Sequence, residues 1–146
     1  MRSQLALAIA LCLPNFGCDS RTHPETIQGK WELSKMNGWF EFDHHLLGKG
    51  GLTIFEFIGD QFNFTHHAYH AGVMDSVSGS FNVDGTRNPP EITFRYAERT
   101  IVCIFSASES TLRICFGKED GIPPATFSGG PAERPVLIES RRFKPH

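Results

Sequence analysis

The chain has 146 residues, of which 40% are hydrophobic and 21% are charged, and its formal net charge is −2. This length fits one domain, and the composition is that of a globular chain and not of a disordered one. The most basic stretch is the short C-terminal run RRFKPH, which is too brief to be the binding surface of a nucleic-acid-binding protein.

The first 18 residues, MRSQLALAIALCLPNFGC, predict an export signal. One arginine precedes an apolar run from Leu5 to Leu13, and Pro14, Gly17 and Cys18 follow. The run is too short to span a bilayer as a permanent helix, and its layout is that of a secretory signal. A small residue directly before a cysteine resembles a bacterial lipoprotein signal. We therefore expect a lipoprotein anchored through Cys18 that faces the periplasm or the cell surface, with a soluble exported protein as the alternative.

The next stretch is polar and leads into the domain. Residues 19–26, DSRTHPET, predict a tether, and a single domain is expected over residues 27–143. The domain opens with IQGKWELSKMNG, in which Trp31 and Leu33 alternate with polar residues as in a β-strand. The segment WFEFDHHLLGKG follows as a connection or a short helix.

The rest of the domain is a succession of strand-length runs and turns. LTIFEFIGDQFNF predicts a hairpin about a Gly-Asp turn, with two pairs of phenylalanines on one face. Further strands are expected in VSGSFNVDG, EITFRYA, TIVCIFSASESTLRICFG and VLIESRRF, which are separated by turn residues or by a Gly/Pro-rich loop. About eight short strands with regular turns predict an all-β protein, either an antiparallel sandwich or a closed barrel.

The domain contains, in this order, QGKWEL, FEFIGDQFNF, GSFNVDGTRNPPEITFRY, STLRICFG, IPPATFSG and VLIESRR, which together cover Ile27 to Arg142. In these segments the chain resembles a lipocalin-like domain family of unknown function that occurs in many copies in planctomycete bacteria. The resemblance implies an eight-stranded, up-and-down, antiparallel barrel that is exported or surface-anchored, with no known enzyme activity. The chain departs from the family in a longer, His-rich segment after the first hairpin and in Cys103, where a small residue is more usual.

Two cysteines, Cys103 and Cys115, fall in consecutive predicted strands. An exported protein can oxidise such a pair, but two buried thiols that act as small hydrophobic side chains are the competing interpretation. The resemblance implies that the cysteine of LRICF, Cys115, has no partner. Strand register decides between the two, and register is not readable from the sequence.

Three histidines, His66, His67 and His70, lie close together in FNFTHHAYHAG. His66 and His70 have the spacing of zinc ligands on a helix, but no glutamate lies between them as in HExxH, and the segment follows a strand. We interpret the cluster as a solvated polar loop, with a His-based metal enzyme as the least favoured alternative. We predict no metal site and no cofactor.

Other patterns for catalysis are weak. No GxSxG motif occurs, and Asp60, Asp84 and Asp120 each adjoin a glycine, as aspartates do in turns. The two domain cysteines lie in apolar runs, which make a thiol inert. The sequence therefore predicts a protein without catalytic residues.

A barrel interior is the remaining candidate site. An eight-stranded barrel either holds one small ligand or is filled by its own side chains, and the 13 phenylalanines of this chain are enough to fill one. We predict that alternating aromatic residues face the interior and line a site for a small apolar ligand: Phe55, Phe57, Phe62, Phe64, Phe94 and Tyr96. The favoured function is a non-catalytic module that binds such a molecule or an envelope partner, and the alternative is a structural lipoprotein with a filled core.

Overall fold

A computed structural model of the protein describes residues 24–37, 51–68, 74–116, 122–128 and 136–145. The described chain begins with a short 3₁₀ helix, Pro24–Ile27, and continues in eight strands. The strands are β1 (Gly29–Asn37), β2 (Gly51–Ile58), β3 (Gln61–Ala68), β4 (Met74–Asp84), β5 (Glu91–Tyr96), β6 (Arg99–Ala107), β7 (Thr111–Phe116) and β8 (Val136–Arg142). Within these residues no helix has the length and apolar character needed to cross a membrane.

The eight strands form one closed barrel. Each strand pairs antiparallel with the next along the chain, and β8 returns to pair with β1. The prediction of an all-β, eight-stranded, up-and-down antiparallel barrel is therefore confirmed, and the sandwich alternative is excluded. Closure leaves no unpaired sheet edge, because every strand has a neighbour on both sides.

The folded domain starts before the predicted boundary at Ile27. The 3₁₀ helix includes Thr26, which was expected to belong to the tether, and the carbonyl of Thr26 accepts a hydrogen bond from Arg142. Ile27 is fully buried in the core. The predicted tether, residues 19–26, thus overlaps the 3₁₀ helix at its last three residues, and its other residues and the predicted signal at residues 1–18 lie outside the described residues.

Side chains alternate between the interior and the outside along each strand, as the pleat of a strand requires. In β2 the buried residues are Thr53, Phe55 and Phe57, and in β5 they are Ile92 and Phe94. The core that results is built mainly from aromatic and β-branched residues. Its members are Ile27, Trp31, Phe55, Phe57, Phe62, Phe64, Phe81, Ile92, Phe94, Ile101, Cys103, Phe105, Leu112, Ile114, Phe116, Val136 and Ile138.

One end of the barrel, which we call the base, carries the 3₁₀ helix, the connections 59–60, 85–90 and 108–110, and residues 143–145. Trp31 lies there, and its indole N–H donates to the carbonyl of Ile27 at 2.8 Å. The guanidinium of Arg142 covers the Trp31 ring at 3.8 Å from its centroid. Gly29 has a φ of +103°, and a Cβ added to it would lie 2.8 Å from Nη1 of Arg142. The base therefore needs glycine at this position.

Residues 122–128, which we call the strap, pack against the outside of β7. Pro124 of the strap is buried. The ring centroid of Phe127 lies 5.0 Å from the guanidinium carbon of Arg113. The carbonyl oxygen of Thr126 lies 3.8 Å from the Cys115 sulfur. Cys115 is fully buried, although its side chain points away from the barrel interior. The strap thus covers an apolar patch on the outer face of the sheet.

The strand register settles the relation between the two cysteines. Cys103 pairs with Phe116, and Ile104 pairs with Cys115. Cys103 belongs to the interior core, whereas Cys115 lies on the outer face under the strap. The two thiols are on opposite faces of the sheet and are not bridged to each other. The interpretation as two buried thiols is confirmed.

Candidate ligand site

The lower interior of the barrel is packed with phenylalanine rings. Phe94 of β5 lies at their centre, with its ring centroid 5.0 Å from that of Phe62 and 5.5 Å from that of Phe64. It also stacks on Phe116 of β7 at 6.0 Å. Phe57 of β2 contacts Phe94 at 6.3 Å, so rings from distant strands meet inside the barrel. These offset and edge-to-face contacts are the geometry that aromatic rings prefer.

All six aromatic residues predicted to face the interior belong to this part of the molecule. Five of them are buried core residues, namely Phe55, Phe57, Phe62, Phe64 and Phe94. The sixth, Tyr96, is partly buried against the core, and its ring centroid lies 6.3 Å from that of Phe62. The inward direction of these side chains was thus predicted correctly. Their contact with a ligand stays a prediction, and their observed neighbours are one another.

Three polar side chains are buried among the described residues: Thr53, His66 and Ser140. Thr53 and His66 are direct partners in the β2–β3 register. Because partners in an antiparallel pair point to the same face, the hydroxyl of Thr53 reaches Nδ1 of the imidazole at 2.9 Å. This hydrogen bond leaves Nε2 as the remaining polar atom of the ring.

Gly51 gives the His66 ring its space. A Cβ added at Gly51 would lie 2.6 Å from Cε1 and 2.8 Å from Nε2 of the imidazole, and 2.5 Å from the carbonyl oxygen of His67. Atoms at these distances overlap, so any larger residue at position 51 would displace the ring. The first residue of β2 therefore sets the position of a side chain on β3.

Ser140 lies on the interior face of β8, with 1% of its surface exposed. It pairs with Leu33 of β1 on one side and with Leu112 of β7 on the other. Its hydroxyl oxygen has no hydrogen-bond partner among the described residues. A buried hydroxyl without a partner is costly, and native proteins contain few of them.

The interpretation of the histidine cluster as a solvated loop is wrong for His66. This residue extends the alternation of Phe62 and Phe64 by one more step and is 5% exposed in the interior. His67, the next residue along the strand, is exposed on the outside, and His70 lies outside the described residues. The described part of the chain contains no group of three residues suited to hold a metal ion.

The alternation of the strand was the signal for His66, because the pattern of two interior phenylalanines predicts a third interior position at residue 66. Ser140 gave a weaker signal: it follows Ile138 at spacing two in VLIESRR, but the charged residues around it suggest a surface strand.

Together the three buried side chains can donate hydrogen bonds to a bound molecule or accept them from it, inside an interior wall that is otherwise apolar.

Comparisons with known proteins leave the family of this chain open. No family model and no curated protein matches it. Among the solved structures, the crystal structure of a point mutant of the fluorescent protein UnaG matches with 9% sequence identity and a TM-score of 0.42. The match covers 84% of this chain and 99% of that protein. At this level of similarity we draw no conclusion from it, and the fold class rests on the strand pairing.

Proposed function

We propose that the protein is a non-catalytic binding module that holds a small, mainly apolar molecule inside its barrel. The observation that supports the proposal is the composition of the interior: a closed wall of apolar side chains in which the buried polar residues of the described chain are Thr53, His66 and Ser140. Ligand sites in proteins have this composition, with a largely apolar lining and a few polar groups that orient the ligand.

A structural protein with a filled core is the second candidate. The contacts of Phe94 with Phe57, Phe62 and Phe116 favour it, because they fill the interior with the protein's own rings. The two candidates differ in what contacts the buried polar side chains. Only the first requires that a ligand reach them.

Native mass spectrometry distinguishes the two candidates. The full chain is expressed in a planctomycete host, the group to which the six sequence segments point, and the mature protein is purified without an affinity tag. We expect additional mass from a small organic molecule that is released on denaturation. A bare polypeptide mass at every growth phase would favour the filled core, and the mass of one zinc ion would contradict the prediction that the protein has no metal site.

We propose further that the protein is exported and held at the membrane by a lipid on Cys18, as a member of the lipocalin-like family described above. The layout of residues 1–18 and the six segments support this proposal. The test compares the wild type with Cys18→Ser in the same host. The wild type is expected in the membrane fraction with a diacylglycerol adduct, and the variant is expected to lose both. Equal distribution of the two proteins would contradict lipid anchoring at Cys18.

A further inference from the structure

The three buried polar side chains lie along one row of cross-strand neighbours in the barrel wall. Thr53 and His66 are partners across β2 and β3, and Ser140 is the partner of Leu33 across β8 and β1. The antiparallel β1–β2 register pairs Glu32 with Ile54. One residue further from the base, Leu33 on β1 therefore lies beside Thr53 on β2. We call this sequence of neighbours, Ser140–Leu33–Thr53–His66, the polar row.

The polar row lies directly above the aromatic residues that close the base. Arg142 pairs with Trp31, Trp31 pairs with Phe55, and Phe55 pairs with Phe64. Each member of this lower row is two residues from a member of the polar row along the same strand, and it therefore points to the same face. Rings and a guanidinium that is already bonded to backbone carbonyls fill the lower row, whereas the polar row contains a hydroxyl without a partner among the described residues.

The hydroxyl of Ser140 is the observation that points to a ligand. It is 1% exposed, faces the interior and has no hydrogen-bond partner among the described residues. The Thr53 hydroxyl differs, because it is bonded to His66 at 2.9 Å. A bound molecule that carries an oxygen atom would satisfy the Ser140 hydroxyl, which can both donate and accept.

The surroundings of the row favour a neutral oxygen over a carboxylate. No Asp, Glu, Lys or Arg occurs among the buried side chains of the described residues. Arg142, in the row below, already donates to the carbonyls of Thr26, Gln28 and Glu109. A carboxylate that bound beside Ser140 would lose its hydration without an ion pair to a fully buried cation, whereas an alcohol or a ketone would lose much less.

We infer that the polar row is a recognition site for a neutral, mainly apolar molecule with a hydroxyl or carbonyl oxygen. Ser140 is the primary anchor of this oxygen, and the Thr53–His66 pair is a second polar contact in the same row. The inference rests on the proposed ligand-binding function, and it adds the chemical class of the ligand and the residues that select it. The predicted aromatic set then forms the floor of the site and contacts the apolar body of the ligand.

The test measures binding of two probes with equal chain length, dodecan-1-ol and dodecanoate, to the mature protein by isothermal titration calorimetry. We expect dodecan-1-ol to bind at least about tenfold more tightly than dodecanoate at neutral pH. Ser140→Ala is expected to weaken binding of dodecan-1-ol about five- to tenfold, the effect of one lost hydrogen bond. Its melting temperature should be unchanged or higher, because the variant removes a buried hydroxyl without a partner.

Two further variants control the test. Ser78→Ala removes an exposed hydroxyl of β4 and should bind dodecan-1-ol like the wild type. Thr53→Val keeps the shape of Thr53 but removes the hydrogen bond to His66, and it should weaken binding by a smaller factor than Ser140→Ala does. Equal affinities of Ser140→Ala and the wild type would overturn the inference, since the Ser140 hydroxyl would then serve no ligand.

The remaining outcomes separate this inference from the proposed function. Preference for dodecanoate would overturn the neutral class while leaving ligand binding in place. If neither probe binds but native mass spectrometry finds an organic molecule, the class is wrong and the function stands. If neither probe binds and the native mass is bare, the proposed function falls, and the inference falls with it.

Discussion

Arg142 contacts several separate segments of the chain at the base of the barrel. Its guanidinium lies over Trp31 at 3.8 Å and donates to the carbonyls of Thr26, Gln28 and Glu109. These carbonyls belong to the 3₁₀ helix, to the residue that follows it and to the connection before β7. The planar guanidinium can meet a ring with its face and carbonyls with its edges at the same time, which an ammonium group cannot do.

Replacing Arg142 should destabilise the protein even when the charge is kept. We expect Arg142→Ala to lower the free energy of unfolding by about 3 kcal/mol, from the lost ring contact and hydrogen bonds. Arg142→Lys should lose about 2 kcal/mol, because one ammonium cannot serve all these partners. Urea unfolding measures both, with the adjacent and exposed Arg141→Ala as the control. A stability of Arg142→Lys equal to that of the wild type would show that charge alone is sufficient.

Asp84 ends β4, and its carboxylate has a pKa below the ordinary value of 3.8. The hydroxyl of Thr86 donates to it at 2.5 Å and the Thr86 amide at 2.9 Å, and these hydrogen bonds are the main cause of a pKa below the usual 3.8. Arg87 lowers the pKa further, with its Nε 3.5 Å from the carboxylate. A pKa that is lower in the folded state stabilises the fold above about pH 3.8, and the gain is lost as the pH falls through the folded pKa.

The Thr86 hydroxyl should account for more of the pKa shift than Arg87 does. In Thr86→Ala we expect the pKa of Asp84 to rise toward 3.8, and in Arg87→Ala we expect it to rise less. Carbon-detected NMR titration of the Asp84 carboxyl measures both shifts. A larger rise in Arg87→Ala would assign the effect to charge instead of hydrogen bonding. In Asp84→Asn the decline of stability with acid should be shallower than in the wild type.

At the scale of elements, the strap packs on the outer face of the sheet without being a strand. It is attached through the stacking of Phe127 under Arg113, through the contact of the Thr126 carbonyl with Cys115, and through the burial of Pro124. Arg113 is itself 3.5 Å from the carboxylate of Glu139 on β8. Local detachment of the strap would expose Cys115 and leave Cys103 in the interior.

Phe127→Ala should therefore change the reactivity of one cysteine and not of the other. We expect N-ethylmaleimide to label Cys115 about fivefold faster in this variant, because fewer contacts hold the strap closed. The labelling rate of Cys103 should stay unchanged, since that thiol becomes accessible only when the barrel opens. Peptide mass spectrometry distinguishes the two sites. Ile122→Ala, in which an already exposed side chain of the strap is shortened, is the matched control. Equal acceleration at both cysteines would indicate global and not local opening.

The strands were predictable from the sequence because their signals are local. Phe55, Phe57, Phe62 and Phe64 alternate across a turn, so their direction and their pairing follow from the chain itself. The contacts of Arg142 could not be predicted in this way, because the carbonyls of Gln28 and Thr26 are 114 and 116 positions away. The 3₁₀ helix at the end of the predicted tether was not foreseen for the same reason: Arg142, which binds it, lies far away along the chain.

The candidate site was predictable only in part. The aromatic residues were expected in the interior, and they are there. Ser140 and the Thr53–His66 pair escaped notice because a polar residue in an alternating strand is usually assigned to the outside. The direction of Thr53 and His66 follows the alternation of the neighbouring phenylalanines, whereas the position of Ser140 beside Leu33 depends on the pairing of β8 with β1, which no local pattern encodes.

For the molecule as a whole, Phe94 connects the two halves of the barrel. Its ring contacts Phe57 on β2, Phe62 and Phe64 on β3 and Phe116 on β7. We expect Phe94→Ala to cost about 4 kcal/mol of unfolding free energy, because it leaves a cavity among rings that cannot collapse into it. Phe94→Leu should cost about half as much. Urea unfolding of both variants tests this, with Phe127→Ala as an aromatic control outside the core. A loss below about 1 kcal/mol in Phe94→Ala would mean that the interior repacks freely.

The pairing of the first strand with the last also governs how the protein can be made. Until Val136–Arg142 is available, β1 lacks one neighbour and the 3₁₀ helix lacks the guanidinium that holds it. A chain whose β8 has not yet been synthesised therefore cannot complete the barrel. The barrel closes in one late step, when β8 supplies both the missing neighbour of β1 and the guanidinium that holds the 3₁₀ helix.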